Sequence, residues 1–120
     1  SLTAAEAEVM DVIWSTSPVA IPAVLDRITR PLAYTTVMTT VKILEEKGFV
    51  HKCGKQGRAY LYQPAIDRDQ VRRSMTDQLA DRLFNGSIKS LVLSLVRQSG
   101  VTSEELAEVK QLIEEMESQQ

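Results

Sequence analysis

The chain has 120 residues, 43% of them apolar, and a formal net charge of −2. That length fits one domain, or one small domain with an appended element, and it carries enough apolar residues for a core. A single cysteine excludes an internal disulfide framework and favours a reducing compartment.

The first predicted helix opens at the TAAE run of residues 3–6, a capping box in which the Thr3 hydroxyl serves the Glu6 amide and Glu6 reaches back. Val9, Met10 and Ile13 form its stripe, Val12 and Trp14 flank it, and residues 15–18 (STSP) end it. Val19, Ala20 and Ile21 make a short apolar run suited to one strand rung. Pro22 suits the first turn of a second helix, whose buried face is Val24, Leu25 and Ile28. Arg30-Pro31 stops it, because the residue before proline avoids the helical region.

The other elements are organised around residues 32–48. Val37, Val41 and Leu44 fall at i, i+4 and i+7, an apolar helical stripe with Ile43 beside it. The opposite face is Thr35, Thr36, Thr39, Lys42 and Glu46, with Met38 at its edge. Threonine and valine lose χ1 freedom in a helix, so this β-branched cluster is a poor local choice. Short hydroxyls near a helix start suit something that approaches closely and accepts hydrogen bonds. DNA phosphates and base edges meet that description, and a threonine-rich solvated surface is the other reading.

Helix two, a short turn and helix three read as a helix-turn-helix, with Gly48 in the position of a C′ glycine. Residues 49–64 then alternate in two runs around Gly54 and Gly57, which predicts a hairpin. The order is that of a winged helix. Lys52, Lys55 and Arg58 put charge on the wing, where phosphates would lie. Tyr34 reads as a packing residue, or as one that touches a phosphate or base.

Pro64 marks a boundary, giving a winged-helix DNA-binding domain at 1–64 and a three-helix dimerisation region at 65–120. Asp67 and Gln70 start the fourth helix, in which Val71, Met75, Leu79 and Leu83 run at i+4 spacing. Ser87 caps a fifth, with Ile88, Leu91, Val92, Leu95 and Val96 as its apolar face. Thr102 and Glu105 cap a sixth, carrying Leu106, Val109, Leu112, Ile113 and Met116. A short helical appendage cannot bury such stripes alone, so a homodimer is expected through Val71, Met75, Leu79, Leu83, Leu91, Val92, Leu95, Leu106, Val109 and Ile113. The fold class is mainly α with a small β-hairpin wing.

Charge is segregated along the chain. Residues 1–26 hold four acids and no Lys or Arg; residues 27–64 hold seven bases against two acids; residues 65–120 hold seven bases against ten acids. The positive region therefore contains the threonine helix and the wing. No catalytic constellation or cofactor motif is present. His51 and Cys53 form a lone His-x-Cys, too few ligands for a metal site, and both read most simply as strand residues. Lys52 and Lys55 beside Cys53 leave a redox role as a second reading of that thiol. No apolar run approaches the roughly 18 residues of a membrane span, and no signal-peptide pattern appears. The expectation is a cytoplasmic protein without membrane insertion.

Several segments together resemble the BlaI/MecI penicillinase-repressor family: EVMDVIW at 8–14, AYTTVMTTV at 33–41, LEEKGFV at 44–50, GRAYLY at 57–62, FNGSIKSLV at 84–92 and TSEELAEVKQLI at 102–113. The resemblance implies a homodimeric transcriptional repressor on a dyad-symmetric double-stranded DNA operator, often with TACA/TGTA-like half-sites. It also implies derepression by a membrane sensor-protease that leads to a cut within the C-terminal helices. The matching position lies in residues 91–96, near Ser94 and Leu95, where the best-known members carry Asn-Phe. The copper-responsive branch carries paired Cys-x-Cys motifs near its C-terminus, which this chain lacks. Tyr34, Thr35, Thr36, Met38, Thr39, Thr40, Lys42, Lys52, Lys55 and Arg58 are the candidate DNA-binding residues. A winged helix that binds a protein, with the tail as scaffold, is the alternative.

Overall fold

The computed structural model describes residues 2–98 and 100–120. Its elements run α1 (Ala4–Thr16), α2 (Ile21–Arg27), α3 (Tyr34–Glu46), β1 (Val50–Gln56), β2 (Ala59–Pro64), α4 (Arg68–Leu83), α5 (Ile88–Arg97) and α6 (Ser103–Ser118). Two compact units divide after Met75, inside α4, whereas the sequence reading places a boundary at Pro64.

In the first unit α1 starts as its sequence dictates. The Thr3 amide donates to Glu6 Oε1 at 2.8 Å and the Glu6 amide donates to Thr3 Oγ1 at 3.2 Å, a complete capping box. Val9, Met10 and Ile13 of α1 meet Val24 of α2 and Val37, Val41 and Leu44 of α3 in one core, closed by Val50 and Tyr62 of the hairpin. Val19 forms the expected single rung: its amide donates to the Tyr62 carbonyl at 3.0 Å and its carbonyl accepts from the Tyr62 amide at 2.8 Å. This rung ties the segment before α2 to β2. Trp14 Nε1–H donates to the Ile66 carbonyl at 3.0 Å and so holds the chain that follows the hairpin against α1.

The hairpin is longer than the glycines suggested. β1 pairs antiparallel with β2 out to Gln56 and Ala59, leaving Gly57 and Arg58 as a two-residue turn. Gly57 has φ +64°, a value that favours glycine at the first turn position of a tight hairpin. Gly54 lies within β1, next to a bulge where the register shifts between Lys52 and Gly54.

In the second unit, α4 ends at Asn85 (φ +52°) and Gly86 (φ +80°), where the Gly86 amide reaches back to the Ala80 carbonyl at 2.9 Å. Ser87 Oγ accepts from the Ser90 amide at 3.1 Å to start α5. Thr102 and Glu105 close a second complete capping box at the head of α6. Ala80 and Leu91 are buried here, but no residue of α6 is. The i+4 row of α4 does not stay on one face, because each step of four advances about 400° and the row drifts about 40° per step. Val71 at its start is 5% exposed and Leu83 at its end is 69% exposed.

Candidate nucleic-acid interface

A helix turns about 100° per residue, which sorts the side chains of α3 around its axis. Val37, Val41 and Leu44 fall within a narrow inner arc and are buried. Thr35, Thr36, Met38, Thr39 and Lys42 fall on the outer side and are exposed, as is Tyr34 at the start of the helix. Two residues depart from expectation. Thr40 lies at the edge of the apolar arc, about 40° beyond Leu44, is 8% exposed, and donates its hydroxyl to the Thr36 carbonyl at 2.8 Å. Its oxygen is therefore engaged by its own helix and does not belong to the outer face. Ile43, expected beside the stripe, points outward at 39% exposure, since it sits about 200° round from Val41. Ala33 at the N-cap supplies no side-chain oxygen, so the first amides of α3 keep no capping partner from that residue.

The wing meets this face. Tyr34 and Met38 of α3, Ile21 and Pro22 of α2, and Arg58, Ala59, Tyr60 and Tyr62 of the hairpin line a shared hollow of about 240 Å³. Arg58 is exposed at the hairpin turn. Lys52 and Lys55 place their ammonium groups 4.4 and 4.8 Å from the Tyr60 ring centroid, an aromatic platform for both cations. Lys52 also lies 3.9 Å from Glu45 across the seam between α3 and β1. Among the described residues Lys42, Lys55 and Arg58 form no ion pair, so their charge faces outward uncompensated. Burial pushes the Tyr62 hydroxyl above its ordinary value, so that group stays neutral at pH 7.

The local positive charge is smaller than the sequence count implies. Arg30 Nε donates to Glu8 Oε2 at 2.9 Å, and Lys47 Nζ bonds both oxygens of Glu6 at 2.9 and 3.1 Å. Burial opposes the charge of Glu6, but Lys47 and the Thr3 amide and hydroxyl outweigh it and hold the carboxyl below its ordinary value. Glu8 is lowered chiefly by the Arg30 amide, with the Arg30 and Thr29 side chains assisting. These two acids were not among the sequence-derived site residues. Each pairs with a base more than twenty positions away, and no local pattern signals that.

His51 and Cys53 both lie on β1. His51 Nε2 lies 2.6 Å from the Gln63 amide nitrogen, and Cys53 is the extra residue of the bulge, its exposed thiol 3.6 Å from the Leu61 carbonyl. Among the described residues no group of three or more His, Cys, Asp or Glu converges. Of the expected dimerisation residues, Val71 and Leu91 are buried in their own chain and Met75 is half-buried. Leu79, Leu83, Val92, Leu95, Leu106, Val109 and Ile113 are exposed. Ser94 is half-buried on α5 and Leu95 exposed beside it.

Three helices closed by a two-strand wing, with the third helix turning a hydroxyl-rich face outward, define a winged helix-turn-helix protein. The sequence profile described as penicillinase repressor matches residues 2–115, and the chain belongs to that family of transcriptional repressors, which are not enzymes. The penicillinase repressor of Bacillus licheniformis is 30% identical over 92% of this chain and 88% of its own length. The transcriptional regulator BlaI of Mycobacterium tuberculosis is 33% identical over 94% of this chain and 83% of its own. Among solved structures, the monomeric form of Bacillus licheniformis BlaI in complex with the blaP half-operator is 31% identical. It has a TM-score of 0.50 and covers 57% of this chain and 85% of that one. The family resemblance and the mainly helical fold with a hairpin wing are thus borne out. Among the described residues no helix is long and apolar enough to cross a membrane.

Proposed function

We propose that this chain represses transcription in the cytoplasm by occupying a dyad-symmetric DNA operator as a homodimer. In this reading α3 enters the major groove, Thr35, Thr36 and Thr39 meet phosphates or base edges, and Met38 meets a thymine methyl. Lys42, Lys52, Lys55 and Arg58 neutralise phosphates along the groove edge. The observation that carries the reading is the shared hollow that joins Tyr34 and Met38 of α3 to Arg58 and Tyr60 of the wing. The wing cation Arg58 thereby adjoins the helix whose outer side carries Thr35, Thr36 and Thr39. The Bacillus licheniformis relative, solved on its half-operator, supports it.

Dimerisation is assigned to the second unit, from Leu79, Leu83, Val92, Leu95, Leu106, Val109 and Ile113, with Leu112 and Met116 exposed on the same helix as the last three. This many large apolar residues left exposed on three helices are costly in water and favour a second copy. Derepression is assigned to a sensor-protease whose signal leads to a cut near Ser94 and Leu95. That step needs α5 to open locally, since a helical backbone does not fit a protease cleft.

The experiment is fluorescence anisotropy with a palindromic TACA-spacer-TGTA duplex and a scrambled control, at low and high salt. Tighter binding of the palindrome with two chains per duplex is expected. Equal affinity for both duplexes, and for duplexes selected from random DNA, would overturn the sequence-specific reading and leave a protein partner for the winged helix.

A further inference from the structure

Two carboxylates of α1 reach opposite ends of α3. Glu8 takes the turn that precedes it. The Thr29 hydroxyl donates to Glu8 Oε1 at 3.0 Å, the Arg30 amide donates to the same oxygen at 3.0 Å, and Arg30 Nε donates to Oε2 at 2.9 Å. Glu6 takes the residue that closes α3. It is 4% exposed and receives the ammonium of Lys47, the C-cap residue, on both oxygens. The same Glu6 is fixed from its own helix by the capping box with Thr3. Apolar packing through Val37, Val41 and Leu44 holds α3 close to α1 but is non-directional. Charge-assisted hydrogen bonds are directional; of the four groups only the Glu6 side chain is buried, while Lys47, Glu8 and Arg30 remain partly exposed.

We infer that Glu6 and Glu8 are positioning residues that bracket α3 and set the tilt and axial position at which Thr35, Thr36, Met38 and Thr39 meet base edges. They touch no DNA themselves. Their effect falls on sequence preference, since phosphate attraction tolerates a shifted helix and base-edge hydrogen bonds do not. This rests on the DNA reading given above. It also engages Arg30 and Lys47 within the protein, outside the set of candidate phosphate contacts.

The test compares Glu6→Gln, Glu8→Gln, the double variant and the mild Thr29→Val with a control, Trp14→Phe. The control loses the bond from α1 to Ile66 but touches neither end of α3. The probes are a duplex selected from random DNA by the unsubstituted chain and its scrambled form. The double variant should lose about tenfold of its preference for the selected duplex, the value of roughly one charge-assisted hydrogen bond. Its affinity for scrambled DNA should stay nearly constant, and Trp14→Phe should keep its preference while melting earlier. Preference retained by the double variant, or lost equally by Trp14→Phe, overturns the inference. Should the double variant not fold, Thr29→Val and Glu8→Gln decide it by the same criterion. A parent chain without preference for any duplex would overturn the DNA reading instead. Amide exchange of the free protein would then judge the bracket. Faster exchange confined to the two ends of α3, with the hairpin unchanged, supports it; unchanged or uniformly faster exchange overturns it.

Discussion

Thr36 and Thr40 are one turn apart on α3 and are the same residue, yet they have opposite fates. The Thr36 side chain is exposed, while the Thr40 hydroxyl is bonded to the Thr36 carbonyl and faces the core. Thr36→Val should therefore change which duplex the protein prefers, while Thr40→Val should leave binding intact and shift stability by no more than about 1 kcal/mol. Anisotropy and thermal melting of the two variants in parallel check this pair. The distinction was open to simple angular arithmetic, since Thr40 falls about 40° from Leu44, at the edge of the stripe, and Thr36 about 80° from it. The reading by residue type, which grouped the threonines, missed it. The ties of Glu6 to Lys47 and of Glu8 to Arg30 were not legible, because a distant ion pair leaves no periodic trace. Both carboxyls lie below their ordinary value of 4.5 in the folded chain. Their contribution to stability is thus fully present above that pH and lost as pH falls through the lowered folded-state values. The melting temperature should hold from pH 7 to about 5 and drop below about 4.5, with a shallower drop in Glu6→Gln.

At the scale of elements the hairpin is the informative case. Alternation and glycines predicted it, but not its length or its bulge. The turn closes at Gly57 and Arg58, so Arg58 stands at the tip. Arg58→Ala should weaken binding to every duplex alike and lower the slope of log affinity against log salt by about 1. A titration across salt concentrations with specific and random DNA measures it, and a loss confined to one sequence would place Arg58 at a base. The three capped helix starts at Thr3, Ser87 and Thr102 were legible, since a cap is a local pattern. The row of Val71 to Leu83 misled, because strict four-residue spacing spirals around a helix. Pro64 also reads as a boundary in the sequence, while about two turns of α4, up to Met75, belong to the first compact unit.

For the whole molecule, an acidic chain with a pI near 5.4 engages DNA only if its cations are concentrated in one stretch, as residues 27–64 have them. Two of those seven bases are held by Glu6 and Glu8, so in the proposed homodimer tight binding is expected to come from two reading heads acting together. Leu112→Glu, on a helix with no buried residue, should leave the fold intact and shift the protein to monomer in sedimentation. Its affinity for a full palindrome should fall toward that for a single half-site. A variant that still sediments as a dimer would move the interface elsewhere.

The bulge of β1 leaves Cys53 exposed, and it is the only cysteine in the chain. A maleimide dye or spin label attached there marks one defined point on each wing. In a dimer the two labels form an intramolecular ruler. The distance between them, read with and without DNA, reports how far the wings travel on docking, with no further engineering of the sequence.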